Sequence, residues 1–371
     1  DIIERQGTDA LRFTLAAMAT ETQDVRVPVV PQTLPDGRTI NTSERFDQGR
    51  NFCNKLWNAA RFAFLNLGDV PCEELTLADL PLEVRWILSE LGGAAAEVND
   101  HLGRYAFAAA ASAAQTFFWN CFCDWYLELV KYRLREDRQA AECKQVLAFC
   151  LDWSLRLLHP FMPFITERIW RELNRLVPRR GLPGILDNVV TDAVMIAPFP
   201  HPEVVELLGD DQTERVFADL QDATRGVRDV RSRCHVPPRQ QVDVIVRTSP
   251  QRADSLERQA HVVRHLAGVG KLVIDPAAAR PPNAASVVVG DLHVYVLDVI
   301  DDAAERRRLS RRIEEVYAQI EGAERKLSDE KFLSHAPPEV VERERARLAE
   351  LKASHETLAR SLRELGGRER D

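Results

Sequence analysis

A heptad-like spacing of apolar residues through residues 301–371 constrains the fold of this chain more than any other feature. Such a spacing puts one apolar stripe along a helix, and two such helices pack stripe against stripe. Pro337 and Pro338 interrupt the pattern and separate two helices. The sequence therefore predicts an antiparallel coiled-coil hairpin that stands out as an arm. The stripe residues are Leu309, Ile313, Val316, Ile320, Ala323 and Leu327, then Leu348, Leu351, His355, Leu358, Leu362 and Leu365.

Residues 43–175 carry the apolar period of amphipathic helices, which predicts a bundle of roughly four or five helices. Pro160 and Pro163 end one helix and begin the next, because proline is tolerated in a first turn but not in a helix interior. The clearest stripe consists of Phe118, Phe122, Trp125, Leu129 and Tyr132. Other helices are predicted over 43–67, 81–114 and 139–159.

Two segments outside the bundle contain strand or turn signals. Residues 27–41 hold three prolines and an Asp-Gly pair, which predict an extended loop or a hairpin. Residues 212–300 predict a small α/β unit, with helices over Arg215–Val230 and near 254–267. Its predicted strands are Val242–Val246, Lys271–Ile274, Ser286–Val289 and Leu292–Val296, the last two joined by the turn Gly290-Asp291.

Charge and composition exclude several classes of protein. The net charge of −8 argues against indiscriminate binding to nucleic acid, so any RNA-binding face must be local. No apolar run approaches the ~20 residues that span a bilayer, and residues 1–5 lack the features of a signal peptide. A cytoplasmic protein with no membrane partner is expected. The chain begins with Asp1 rather than Met, which favours a fragment.

The seven cysteines form no CxxC pair and are expected to be mostly buried thiols. Cys121 and Cys123 are two positions apart, so on a helix they point about 200° from each other. Two thiolates in that arrangement cannot hold one metal ion, and no zinc site is predicted. The other cysteines are Cys53, Cys72, Cys143, Cys150 and Cys234.

Four motifs resemble segments of the class I aminoacyl-tRNA synthetases for valine, isoleucine and leucine. Residues 7–13, Gly-Thr-Asp-Ala-Leu-Arg-Phe, resemble the segment that follows the KMSKS loop of those enzymes. Residues 50–62, which begin Arg-Asn-Phe-Cys-Asn-Lys-Leu-Trp, are similar to the first helix of their anticodon-binding bundle. Residues 118–128 and 157–167 are similar to further segments of these enzymes.

The end of the chain narrows this resemblance to the valyl-tRNA synthetases. Residues 326–341, with Lys-Leu-Ser, Ala-Pro and Val-Val, look like the tip of their C-terminal arm. A cysteine-rich zinc module, frequent there in isoleucyl enzymes, is absent from the sequence. The resemblance implies a mainly α fold in four parts: the end of the catalytic and stem-contact region with a proline-rich insertion (1–42), an anticodon-binding helical bundle (43–205), a small α/β linker domain (206–300) and a coiled-coil tRNA-binding arm (301–371).

The resemblance implies the tRNA-recognition part of a valine--tRNA ligase, which attaches valine to tRNA(Val) with ATP. The sequence has neither a HIGH nor a KMSKS motif, so no catalytic residue is predicted and the fragment alone is expected to be inactive. ATP and Mg²⁺ would serve the parent enzyme only. The expected partner is tRNA(Val) and not DNA, and a monomer is expected. Two alternatives stay open: a free-standing tRNA-binding or scaffolding protein derived from a synthetase, and a coiled coil that serves dimerisation.

The predicted tRNA-binding residues lie on the first bundle helix, just before it and on the arm. Lys55 and Phe62 are seven positions apart and therefore near one helix face, with Arg61 beside them. A ring can stack on an unpaired base while cations meet phosphates and base edges. The alternative places Phe62 in the core and both cations in solvent. The other predicted residues are Arg26, from the resemblance, and Arg307, Arg308, Arg311 and Arg312, from a basic patch whose members could instead pair with Glu305, Glu314 and Glu315.

Three other polar residues are interpreted as structural. Asp9 and Arg12 could form a surface ion pair or contact the inner corner of the tRNA, and the structural role is favoured. His159 is accompanied by no nucleophile or carboxylate in the sequence, so packing at a helix end is expected.

Residues of the aromatic motifs are interpreted in the same way. Asp124 and Glu128 share a helix face, and ion pairs with Lys131 and Arg135 are expected instead of acid–base chemistry. The tryptophans expected in the core are Trp57, Trp125 and Trp153.

Overall fold

In a computed structural model the chain folds into two compact units, residues 1–219 and 220–371. Across the residues that the structure describes, none of the helices has the length and apolar character of a membrane span. The described residues are 1–19, 24–33, 36–68, 70, 72–134, 140–281, 284–299, 302–328, 341–349, 351–352, 355–356 and 359.

The first unit is mainly helical, as the apolar period predicts. Pro163 occupies the first turn of its last long helix, which confirms the role of the proline pair. The helices are α1 (Ile2–Gln6), α2 (Thr8–Met18), α3 (Arg45–Asn66), α4 (Leu82–Gly103), α5 (Phe107–Thr116), α6 (Leu127–Arg133), α7 (Ala140–Leu158), α8 (Pro163–Leu176) and α9 (Val204–Leu208), with 3-10 turns at Leu77–Asp79 and Val194–Ile196. Helix α10 (Asp211–Arg233) contains the boundary between the units.

The proline-rich segment forms the hairpin that its residues allow. Strand β1 (Val30–Thr33) pairs antiparallel with β2 (Thr39–Thr42). Gly37, in the turn between them, has φ of 82°, a conformation that costs glycine little. The backbone N–H of Asn41 donates to the Asp1 carboxylate at 3.1 Å, which attaches the hairpin to the start of the chain.

The prediction of a single helix over 81–114 is wrong, because a break separates α4 from α5. Tyr105 lies in the break with φ of 60°, in the left-handed region that a helix cannot contain. The chain then continues without interruption from α5 through a π-helical stretch, Phe117–Tyr126, into α6. A long π-helical run is rare, and its wider turn changes the face that each side chain presents.

An aromatic cluster forms the centre of the bundle and confirms the predicted stripe. The rings of Phe13 and Phe52 are 4.8 Å apart, and Phe52 meets Phe118 edge-on at 6.1 Å. Phe118 in turn lies 5.3 Å from Phe122. The stripe residues Phe118, Phe122, Trp125 and Leu129 are buried, and Tyr132 is half-buried.

The three tryptophans expected in the core differ in their burial. Trp125 and Trp153 are 7% and 5% exposed, as predicted. Trp57 is 42% exposed, so its assignment to the core was wrong. Leu56 and Ala60 are buried instead. The side of α3 that faces the bundle is the one that carries residues 56, 60 and 63.

Helices α2 and α3 approach each other so closely at Gly49 that only glycine fits. A Cβ at this position would overlap the backbone carbonyl oxygen of Ala10 and lie 2.5 Å from Thr14 Oγ1. By contrast, a Cβ on Gly93 of α4 would meet nothing within 4 Å. A larger side chain therefore fits at Gly93 but not at Gly49.

A buried ion cluster joins α7 and α8 to the segment that follows them. Asp152 accepts from Arg156 Nε at 2.7 Å and from Arg180 Nε at 2.6 Å, and all three side chains are almost completely buried. The guanidinium carbons of Arg156 and Arg180 lie 5.2 and 4.5 Å from the centre of the Trp170 ring. Burial lowers the pKa of Arg180, although Asp152 opposes that shift. The remaining donors of Arg156 reach Pro198 O, Asn188 Oδ1 and Val189 O, and those of Arg180 reach Val177 O and Asn174 Oδ1.

The second unit contains the predicted small sheet. Its strand order is β4-β3-β6-β5, with β3 and β4 parallel and the other pairs antiparallel. The helix predicted near 254–267 is split at Gln259 into two. Helix α10 packs on the sheet at Gly226, where a Cβ would lie 3.1 Å from Val294 Cγ2. The elements are β3 (Val242–Arg247), α11 (Pro250–Arg258), α12 (Ala260–Ala267), β4 (Val269–Ile274), β5 (Ala285–Val289) and β6 (Leu292–Val296).

The heptad region has the antiparallel packing that its two stripes predict. Helix α13 (Asp302–Ser328) buries Val316, Ile320 and Ala323, and residues 341–349 are also helical. Glu324 Oε1 lies 2.7 Å from Lys352 Nζ, and the Tyr317 and His355 rings are 6.0 Å apart. Earlier residues of one segment therefore meet later residues of the other. The proline break lies outside the described residues.

Substitution by alanine should change the free energy of unfolding in opposite directions at Gly49 and Gly93. Gly49→Ala should lower the free energy of unfolding, because overpacking costs about 1–3 kcal/mol and exceeds the gain of about 1 kcal/mol in helix propensity. Gly93→Ala should raise it by up to about 1 kcal/mol. Urea denaturation of both variants measures the difference. A Gly49→Ala protein as stable as the parent would contradict the close helix contact.

Removing the central charge of the ion cluster should destabilise the bundle. Asp152→Asn leaves two buried guanidinium groups without their carboxylate, and we expect a loss of about 3–5 kcal/mol in urea denaturation. Glu172→Gln, which removes an exposed partner of Arg175, is the control and should leave the denaturation midpoint unchanged. Equal midpoints for the two variants would show that the cluster contributes little.

Candidate nucleic-acid interface

Helix α3 presents an exposed face that carries an aromatic, a cation and an aliphatic side chain. Trp57, Arg61 and Leu65 follow one another at intervals of four residues and therefore lie along one line of the helix. Trp57 is 42% exposed and Leu65 is 76% exposed. The opposite face is buried through Phe52, Leu56, Ala59, Ala60 and Ala63. Two large apolar side chains exposed on one line, with a cation between them, make this side of α3 a candidate for binding a partner.

Lys55 is not free in the structure, because Asp124 holds it. Its ammonium group lies 2.7 Å from Asp124 Oδ1 and 5.2 Å from the centre of the Trp119 ring. Both ionic side chains are partly exposed, at 32% and 46%. A partly exposed pair of this kind contributes about 1 kcal/mol or less, so a phosphate could replace the carboxylate at small cost.

Phe62 is half-buried, and a cation already covers its ring. Lys131 Nζ lies 5.5 Å from the ring centre and also contacts Glu128. The Lys131–Glu128 pair confirms one of the ion pairs expected from the sequence, whereas Asp124 pairs with Lys55 and not with a neighbour on its own helix. Arg135 lies outside the described residues.

The remaining predicted cations of the first unit face solvent. Arg61 is exposed and has no hydrogen-bond or ion-pair partner in the described ranges, which leaves its guanidinium available to a ligand. Arg26 is also exposed, on a stretch without regular structure. All three predicted residues lie on α3, but Lys55 and Phe62 share one side of the helix and Arg61 lies about 120° around it. Trp57, which the sequence assigned to the core, lies on the line of Arg61, about 200° around the helix from Lys55.

The arm arginines are exposed where the structure describes them. Arg311 faces solvent, and Arg312 Nη1 contacts Glu315 at 2.7 Å, one of the pairings considered in the sequence. The side chains of Arg307 and Arg308 lie outside the described residues.

Asp9 and Arg12 do have structural roles, but not as the ion pair considered from the sequence. The Asp9 carboxylate accepts from the backbone amides of Phe164 and Ile165 at 3.2 and 2.6 Å, at the first turn of α8. An anion is stabilised there by unpaired amides and the helix dipole. Arg12 donates to the Pro160 carbonyl at 3.2 Å. Together they fasten α2 to the start of α8.

His159 has the structural role expected of it. Its Nδ1 lies 2.7 Å from Thr166 Oγ1, which joins the end of α7 to α8. Burial lowers the pKa of the imidazole, and the nearby carboxylates of Glu167 and Asp9 oppose that shift.

The thiols of the bundle are held in the neutral form. Burial raises the pKa of Cys53, Cys123 and Cys143 to about 12 in each case. A neutral buried thiol is a poor nucleophile and a poor metal ligand. Cys72, by contrast, is exposed. Among the described residues, no group of three or more His, Cys, Asp or Glu side chains is arranged to hold a metal ion.

Comparisons with known proteins match two parts of the chain to family models. Residues 84–246 match the anticodon-binding domain of tRNA ligases, and residues 301–366 match the tRNA binding arm of valyl tRNA synthetases. The first of these ranges includes Trp119, Asp124 and Lys131, and the second includes all of α13 from residue 302 onward.

Curated relatives agree over nearly the whole chain. A valine--tRNA ligase of Rhodopirellula baltica is 36% identical and aligns with 98% of this chain and 39% of its own length. Those of Symbiobacterium thermophilum and Syntrophotalea carbinolica are also 36% identical, over 99% and 98% of this chain and 40% and 38% of their own lengths. The chain thus spans about two fifths of the length of the curated relatives it matches. It belongs to the valyl-tRNA synthetase family.

Proposed function

We propose that this chain is the tRNA-recognition part of a valine--tRNA ligase and that it binds tRNA(Val). The observation that carries the proposal is the exposed line of Trp57, Arg61 and Leu65 on α3, with Lys55 and Phe62 on another side of the same helix. Exposed rings stack on unpaired bases, and neighbouring cations meet phosphates and base edges. The net charge of −8 supports a local interface rather than general attraction to nucleic acid.

Binding at this face would exchange internal ion pairs for RNA contacts. Lys55 leaves Asp124 for a phosphate or a base edge, and Asp124 then becomes an acceptor for a base amine. Lys131 lies over the Phe62 ring and must shift before a base can stack on that face. Arg61 and Trp57 need no such rearrangement, because both are exposed already. We infer that they make the first contacts.

The parent enzyme would supply the chemistry from other parts of its chain. Valine activation consumes ATP and requires groups that stabilise a developing phosphate charge. We assign ATP and Mg²⁺ binding to the part of the relatives that this chain does not cover, and we expect no valyl-adenylate from the chain alone. A monomer in the cytoplasm, with no DNA or membrane partner, belongs to the same proposal.

Loss of Arg61, which is exposed, or of Lys55, which can leave its ion pair, should weaken tRNA binding without unfolding the bundle. We expect Lys55→Ala and Arg61→Ala each to cost about 1–3 kcal/mol of binding free energy, the range for a charge-assisted contact. Filter binding or fluorescence anisotropy with a transcribed tRNA(Val) measures the effect. Arg175→Ala, at an exposed arginine on α8, is the control. If both α3 variants bind like the parent at moderate salt, this helix does not read the anticodon.

The arm should contribute through contacts with phosphates. Residues 301–371 hold sixteen Lys and Arg against seventeen Asp and Glu, so attraction depends on local arrangement rather than on total charge. Truncation after Val299 removes both arm segments together and so leaves no half of their buried stripe exposed. We expect lower affinity and a shallower dependence on salt, by about one unit of slope for each phosphate that the arm no longer neutralises.

Titration of tRNA binding against salt concentration, for the full chain and the truncated one, measures both quantities. Circular dichroism of the truncated chain checks that the bundle remains folded. Unchanged affinity and slope would assign the arm to a structural or partner-binding role.

A further inference from the structure

A polar groove lies between α2, α3, the end of α5 and the start of the π-helical stretch. Its volume is about 590 Å³, within the size range of ligand sites. We call it the amide groove, because four amide side chains line it with a single arginine. These residues are Arg45, Gln48, Asn51, Gln115 and Asn120. Phe13, Thr14, Trp119 and Gly49 are among the other lining residues.

The five polar side chains of the amide groove face the open space of the groove, since four of them are exposed and Gln115 is half-buried. In the part of the chain that the structure describes, none of them has a hydrogen-bond or ion-pair partner. Amide side chains that line one open groove can exchange water for a polar ligand.

Trp119 connects the amide groove to the side of α3 that carries Lys55. Its ring lines the groove and stacks on Phe52 at 6.0 Å, with the two planes 23° apart. The same ring lies 5.2 Å from Lys55 Nζ. A strand that contacts Lys55 can therefore pass over Trp119 into the groove without leaving the surface.

The lining of the amide groove also favours a ligand with negative charge. Arg45 is its one charged residue, and no carboxylate lines the groove. An amide both donates and accepts, which suits a hydroxyl as well as a phosphate oxygen. The ribose–phosphate backbone of RNA offers both groups, and its 2′-hydroxyl distinguishes it from DNA.

We propose that the amide groove binds the ribose–phosphate backbone of the RNA strand next to the bases read by α3, and that Gln48 and Asn51 contact 2′-hydroxyls. This inference rests on the proposed function, since it extends the same tRNA-binding surface. The groove positions the strand and gives the chain a preference for RNA over DNA. Base identity is read elsewhere, on α3.

The test compares two hairpins of one sequence, the anticodon stem and loop of tRNA(Val) made as RNA and as DNA. The variant is Gln48→Ala combined with Asn51→Ala, two exposed positions whose substitution should not disturb the core. We expect the double variant to bind the RNA hairpin about tenfold more weakly, as for the removal of two hydrogen bonds. Binding of the DNA hairpin should stay the same, so the preference for RNA shrinks.

Controls separate this inference from the function on which it rests. Gln212→Ala removes an exposed amide on α10 and should change neither affinity. Thermal unfolding of each variant checks the fold. If the unaltered chain binds neither hairpin nor tRNA, the proposed function fails. If Lys55→Ala weakens binding and the double variant does not, only the groove inference fails.

Two other results would also overturn the inference. An equal decrease in affinity for the RNA and DNA hairpins would show that the amides do not contact 2′-hydroxyls. A double variant that keeps its RNA affinity but no longer associates with a separately produced remainder of a synthetase would identify the groove as a protein interface.

Discussion

The first unit depends on the burial of one carboxylate, Asp152, between two arginines. The cluster carries one net positive charge in a place without water, so its geometry must be complete. Backbone carbonyls, two Asn oxygens and the face of Trp170 supply what a single carboxylate cannot. Because these groups come from α7, α8 and the segment after them, the cluster fixes three parts of the chain in one arrangement. Helix α3, which carries the candidate binding face, packs against both α7 and α8.

The two faces of α3 divide structure from function. Phe52 and Leu56 are completely buried, and Gly49 brings the helix against α2. The opposite side keeps Trp57, Arg61 and Leu65 in water, although two of these side chains are largely apolar. Exposing such groups has no benefit for folding. Lys55 and Asp124 lie between the two faces, in an ion pair weak enough to be exchanged.

Local periodicity made much of this architecture predictable. The heptads of the arm, the stripe from Phe118 to Leu129, the hairpin around Gly37 and the four strands of the second unit all depend on the geometry of adjacent turns or strands. The break at Tyr105 was missed because the apolar period runs on through 81–114, although Gly103 two positions earlier is a typical helix-ending residue. Trp57 was misplaced because a helix with apolar residues on two sides does not indicate which side faces the core.

The sequence by itself determined the class of helices and strands, the position of the arm, the family resemblance and the candidate cations on α3. Tertiary structure alone decided which charges meet. Asp9 reaches the amides of Phe164 and Ile165, and Asp152 reaches Arg180, across stretches of chain in which spacing carries no information. The amide groove arises in the same way, since α2, α3 and the π-helical stretch each supply only part of its wall. Periodicity is a property of one helix, whereas a buried ion cluster or a groove is a property of how several helices pack.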